Sequence, residues 1–210
     1  YEGIPNQGMR CIRTILKDWA ESNDLQLQMD EFDVRLKNQL PGLSYDIYIS
    51  SGGPGDPLVS RFEDWDISWC RWLDSMERWN ANPSKVRKKY VFFICHSFQL
   101  ASRYFNVGLV SRRKSTAFGV FPVHMLEAGT VFHGLRDPFY AVDSRDHQVI
   151  QPNLALLDRM GAKILCIEKS RPHVPYERAL MGIRFSDHMI GTQFHPEADA
   201  PGMSMYLQTE

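Results

Sequence analysis

The sequence predicts an α/β domain of three layers, with a mainly parallel central sheet and a strand-rich second half. Helical and strand-like patterns alternate over the first half of the chain, which is the signature of strands joined by crossover helices. Two apolar runs, YDIYIS at 45–50 and KKYVFFIC at 88–95, read as strands, the second of them buried. No repeat, low-complexity tract or linker divides the 210 residues, and 43% hydrophobic content suffices for one sizeable core.

Taken in order, Met9, Ile12, Leu16 and Trp19 stand at helical spacing and predict a helix over 7–21. Residues 25–34 alternate enough to predict a strand, and 45–50 predict a second, ended by the glycine-rich SGGPGDP. Trp65, Trp69 and Trp72 recur on one face of a helix over 62–80, a stripe that suits core packing or, alternatively, a docking surface. The buried strand in KKYVFFIC leads into a helix over 97–106. Further short strands are expected at 116–123, 130–132, 140–142, 162–168, 182–185 and 189–194. A doubly wound sheet normally opens on a strand feeding the first helix, so an initial strand is expected before residue 1. PGMSMYLQTE reads as the opening of a last helix.

A net charge of −1 gives no electrostatic case for nucleic acid or an anionic membrane surface. The basic run Arg112, Arg113, Lys114 reads as a solvated loop. No apolar run reaches the roughly 18 residues of a membrane span, and the default setting is the cytoplasm. Cys11, Cys70, Cys95 and Cys166 are scattered singly, so reduced thiols are expected. The histidines form no cluster at ligand spacing, and neither a metal nor a cofactor is expected.

Loops at the carboxyl ends of parallel strands line the ligand crevice of such sheets, which singles out three segments. Cys95 stands where a strand hands over to a helix, whose N-terminal partial charge favours a thiolate; an inert core cysteine is the competing reading. In QFHPE, Pro196 keeps the chain extended, so His195 and Glu197 project to one side and the carboxylate can orient the imidazole. SGGPGDP lacks the Gly-Lys-Ser/Thr ending of a phosphate loop, but its glycines let a backbone amide approach a ligand.

Together, ISSGGPGDP, ICHSFQ and GTQFHPE, in that order and at those separations, resemble the class I (triad) glutamine amidotransferases, especially stand-alone proteins similar to the amidotransferase domain of GMP synthase. The resemblance spans essentially the whole chain, as a single domain over 1–210, and implies a flavodoxin-like fold. It also implies Cys95 as nucleophile, His195 as general base and acid, and Glu197 as orienting carboxylate. The amides of Gly53 and His96 match the family's oxyanion hole, and Gln99, Asp146, His147 and Gln148 match positions near the bound substrate. The family's elbow is G-x-C-x-G, and here Phe93 and Ser97 replace its glycines. The implied activity is release of ammonia from glutamine through a cysteinyl γ-glutamyl thioester. No segment for ATP or acceptor activation is visible, so the chain either feeds a separate synthetase or hydrolyses a γ-glutamyl compound alone. Alternatives are a PfpI-like cysteine peptidase, in which the histidine after the cysteine is catalytic, and a degenerate, non-catalytic binding subunit.

Overall fold

In the computed structural model, which describes residues 6–127, 131–173 and 175–207, the first element is α1 (Gln7–Ser22). Asn6 caps it by accepting a hydrogen bond from the Met9 amide at 3.1 Å. Met9, Ile12 and Leu16 cluster with Ile49, Phe92, Ile94 and Cys95 on one side of the sheet. Trp19 does not share that face. It is 57% exposed, and the smaller Ala20 is buried instead.

The strand expected at 25–34 is absent. The outermost strand on that side is β1 (Ile47–Ser50), and residues 25–34 form no ladder with it. Their polar side chains are engaged elsewhere: Asp30 accepts from the Tyr45 hydroxyl at 2.8 Å, Glu31 pairs with Arg13, and Asp33 caps the single turn α2 (Val34–Lys37). Leu25, Leu27 and Met29 stay exposed, so an apolar alternation without a burying surface produces no strand.

The remaining strands are β2 (Tyr90–Ile94), β3 (Leu109–Met125), β4 (Phe139–Ile150), β5 (Lys163–Glu168), β6 (Leu180–Ser186) and β7 (Met189–Thr192). Their order is β1-β2-β7-β6-β5-β3-β4. β1, β2 and β7 pair in parallel, and the strand-rich second half supplies antiparallel neighbours. The short strands expected at 116–123 and 140–142 are parts of the long β3 and β4, whose register shifts between Arg112 and Ala117. Of the strand expected at 130–132, Thr130 lies outside the described residues, and Val131 and Phe132 belong to a turn. The basic run is a correction too: Arg112, Arg113 and Lys114 lie within β3, and the Arg113 side chain is buried against Glu168.

Helices α3 (Asp64–Ala81), α4 (His96–Tyr104) and α5 (Leu154–Met160) share the largest apolar cluster with the sheet, while α6 (Ala200–Leu207) touches α1. α5 escaped the periodicity reading because it is two turns long. Its ends are nonetheless written in the sequence: Asn153 caps it, and Gly161 closes it in the left-handed conformation. Trp65, Trp69 and Trp72 are all buried, which removes them as a docking surface.

Phe93, at the first elbow position, has no exposed surface and meets Trp69 and Phe185 edge-on. Space for it comes from β7, where its register partner is Gly191. A Cβ on Gly191 would stand 3.0 Å from both Phe93 Cβ and Phe98 Cδ2, and 3.1 Å from the Phe93 carbonyl oxygen. Gly191→Ala is therefore expected to destabilise the fold by about 1–3 kcal/mol, as overpacking of a tight core does. Urea denaturation checks this: the midpoint should fall at constant slope.

Candidate active site

The parallel arrangement of β1, β2 and β7 brings the loops after these strands to one end of the sheet, and with them the three segments singled out in the sequence. Cys95 is the hinge between β2 and α4, with φ 50° and ψ −100°. A side-chain-bearing residue pays about 1–3 kcal/mol for such a backbone, and the surrounding contacts hold it there. The Cys95 N–H donates to the Thr192 carbonyl at 2.8 Å, and its C=O accepts from the Gln99 amide at 3.1 Å. The sharp turn aims the sulfur out of the strand, 3.6 Å from the Ser144 carbonyl oxygen and 3.7 Å from Gln193 Nε2.

Ser97 replaces the second elbow glycine and acts as a tie. Its hydroxyl donates to the Ser51 carbonyl at 2.7 Å, which leaves its oxygen to accept from Ser50 at 2.8 Å. Ser50 in turn accepts from Trp69 Nε1 at 3.2 Å. One directed chain thus joins α3, the end of β1 and the start of α4.

His195 follows β7 in a bridge with β4, its N–H donating to the Val142 carbonyl at 2.8 Å. Its Nδ1 donates to Glu197 Oε1 at 2.8 Å. Burial disfavours the imidazolium, but charge and hydrogen bonding from Cys95, then Glu197, outweigh it and raise the His195 pKa well above its ordinary value. Glu197 is buried, and the chain just beyond it is tied down by Asp199, which meets Arg10 of α1 at 2.6 Å. The Arg10 guanidinium holds the Asp199 pKa down at about 2. Between cysteine and histidine stands Gly52, where a Cβ would lie 2.9 Å from His195 Cε1 and 3.2 Å from Cys95 Cβ. Only a residue without a side chain leaves room for both.

Gly53 follows Gly52 in the same loop, and His96 opens α4. Among the described residues neither backbone N–H has a hydrogen-bond acceptor. The His96 ring is turned towards Trp65 and is 5% exposed; burial, then the Arg35 charge, push its pKa down to about 4, so it is neutral.

The segment SRDHQ lies on β4, not in a loop, and alternation separates its residues. His147 is buried, with Nε2 3.3 Å from Asp56 Oδ1 but out of hydrogen-bonding alignment, and its carbonyl accepts from Gln99 Nε2 at 3.3 Å. Asp146 is exposed and takes a hydrogen bond from Thr116 at 2.5 Å, while Gln148 accepts from Arg113 at 3.0 Å. Of the three, the structure brings only His147 to Gln99. Buried beside it, Arg145 grips both Asp143 oxygens at 2.9 Å and, with Arg113 and Arg171, converges on Glu168 Oε1. Burial pushes the Glu168 carboxyl up, but the three arginines hold its pKa below the ordinary value.

A cavity of about 370 Å³ opens beside His195, lined by Phe92, Ala141, Val142, Phe194 and Pro196 among others. A cleft of about 540 Å³ between α2 and α3 touches none of Cys95, His195 and Glu197. Among the described residues no group of three His, Cys, Asp or Glu side chains is placed to hold a metal ion, and no helix is long and apolar enough to cross a membrane.

No family model and no curated protein sequence matches the chain. Solved structures do. A glutamine amidotransferase from Thermotoga maritima superposes with a TM-score of 0.70 at 14% identity, covering 93% of this chain and 75% of that one. The chain has the glutamine amidotransferase fold. The glutaminase domain of CTPS from Trypanosoma brucei, solved with bound acivicin, aligns with a TM-score of 0.64 at 12% identity over 94% of this chain and 85% of that one. A protein from Thermoplasma acidophilum, provisionally assigned as one component of GMP synthase, gives 0.55 at 17% identity over 79% and 71%. In this example of the glutamine amidotransferase fold, sequence reasoning passed over Gly52 and Gln193. Both lie inside the quoted motifs, but their importance rests on contacts across strands that no single motif displays.

Proposed function

We propose that this chain is a cysteine-dependent amide hydrolase that releases ammonia from glutamine or a related γ-glutamyl compound. One observation carries the reading: His195, hydrogen-bonded to buried Glu197, and Cys95, held in a strained elbow, close on the same glycine, where a Cβ on Gly52 would lie 2.9 Å from His195 Cε1 and 3.2 Å from Cys95 Cβ. In the mechanism, His195 takes the Cys95 proton and the thiolate attacks the side-chain amide carbon, giving a tetrahedral oxyanion. The N–H groups of Gly53 and His96 are the proposed donors to that oxyanion. The imidazolium gives its proton to the departing ammonia, leaving a γ-glutamyl thioester on Cys95. Water, deprotonated by His195, then attacks the thioester; glutamate leaves and the thiol is restored. Gln99 and His147, joined by a hydrogen bond, are the proposed substrate-positioning residues; Asp146 and Gln148 bond instead to Thr116 and Arg113.

The neutral His96 ring, turned towards Trp65, weighs against a peptidase in which it would be the base. Phe93 and Ser97 are absorbed by Gly191 and by the serine chain, which weakens the case for a degenerate binding protein. A synthetase that accepts the ammonia is the proposed partner, in a cytoplasmic setting. Ammonia release from glutamine, measured alone and with candidate synthetases, tests the function: release that a partner stimulates supports the coupled role, release alone supports the hydrolase, and none under any condition removes both.

A further inference from the structure

Gln193 follows β7, one residue before Phe194, and has no exposed surface, yet its side chain carries a polar amide with two faces to satisfy. The contacts fix which face is which. The His147 carbonyl can only accept, so the Gln99 atom facing it at 3.3 Å is the NH₂ group. The same nitrogen lies 3.2 Å from the other glutamine, which must therefore present its oxygen, Gln193 Oε1. That leaves Gln193 Nε2 directed at Cys95 Sγ, 3.7 Å away. A flip of Gln193 would set two NH₂ groups against each other and an oxygen against the sulfur, in a region where both glutamines are buried.

We propose that Gln193 is a catalytic hydrogen-bond donor to the Cys95 thiolate, held in that orientation by Gln99. The proposal rests on the reading of Cys95 as nucleophile and adds a residue to its machinery. The sulfur sits between a carbonyl acceptor, Ser144, which suits the thiol, and the Gln193 amide, which suits the thiolate, with the His195 ring close by across Gly52. When the thiol proton moves to His195, the Ser144 carbonyl becomes an unfavourable neighbour. The Gln193 amide is then the neutral group that offsets it. Gln99 acts through Gln193 and is a positioning residue in this respect.

The test is the rate at which iodoacetamide alkylates Cys95 in the full chain, followed by peptide mass spectrometry at pH 7 and pH 10. Gln193→Leu is expected to slow alkylation about tenfold at pH 7, the worth of one hydrogen bond to a charged group. At pH 10, where the solution itself favours the thiolate far more than at pH 7, the loss should be smaller than at pH 7. Gln193→Glu keeps the size and the bond from Gln99 but faces an oxygen to the sulfur, so it should slow pH 7 alkylation further; it also serves if the leucine variant fails to fold. Gln99→Leu should give a smaller loss with the same pH pattern. An unchanged pH 7 rate in both Gln193 variants, or an equal loss at both pH values, overturns the proposal. If Cys95 of the unmodified protein reacts no faster than half-buried Cys70 at pH 7, the nucleophile reading itself falls, and the proposal with it.

Discussion

Cys95→Ala is expected to lower ammonia release from glutamine by roughly 10⁶-fold, to what binding and oxyanion stabilisation alone sustain. Covalent capture by a chloroketone analogue of glutamine should vanish with it, because among the described residues no other thiol is placed beside an imidazole. Cys11 lies under Arg10 and its pKa is pushed up by burial, and burial holds the Cys166 thiol far above its ordinary range. The substitution keeps a side chain at φ 50°, so the backbone strain is unchanged and the urea midpoint should stay close to that of the unmodified protein. A folded Cys95→Ala protein that still releases ammonia would sink the assignment.

His195→Ala should cost about 10²–10⁴-fold in turnover, the usual worth of a positioned acid and base, whereas His96→Ala should leave turnover close to normal. The reverse ranking would favour the peptidase-like arrangement. Glu197→Gln refines the test through pH. The His195 pKa is raised, so its proton, needed by the leaving ammonia, is retained above the ordinary histidine range. Replacing the Glu197 carboxylate removes one of the raising influences. The alkaline limb of the rate profile should therefore move to lower pH, and a limb that stays in place would mean that His195 does not set it.

The candidate triad was legible because its members follow two strand ends, Cys95 after β2 and His195 with Glu197 after β7, and strand ends are local properties. A run such as YVFFI announces where Cys95 must turn, whereas the extended chain expected through Pro196 is not found: Pro196 and Glu197 form a turn in which the Ala198 amide donates to the His195 carbonyl at 3.3 Å, and this turn sets Glu197 against the His195 ring. Residues 25–34 misled for the opposite reason: their alternation is genuine, but burial and a ladder partner are supplied by the rest of the fold or not at all. Arg113 looked solvated because its neighbours in sequence are basic, while the acid that pairs with it, Glu168, lies on another strand. Gln193 and Gly52 matter through contacts with Gln99, Cys95 and His195 that require the register of β2 against β7.

That register also changes how the elbow should be recognised. The familiar motif places a glycine under the nucleophile on the same strand, yet the void it creates is shared by two strands, and either can leave it. Here β7 leaves it, at Gly191, and β2 fills it, with Phe93. The small residue an elbow needs thus belongs to a strand pair, not to a place in one chain segment. A swap of bulk between the two positions should be tolerated far better than either change alone, and a lone Phe93→Gly would leave a hole among Trp69, Phe98 and Phe185 where the motif would have led one to expect a repair.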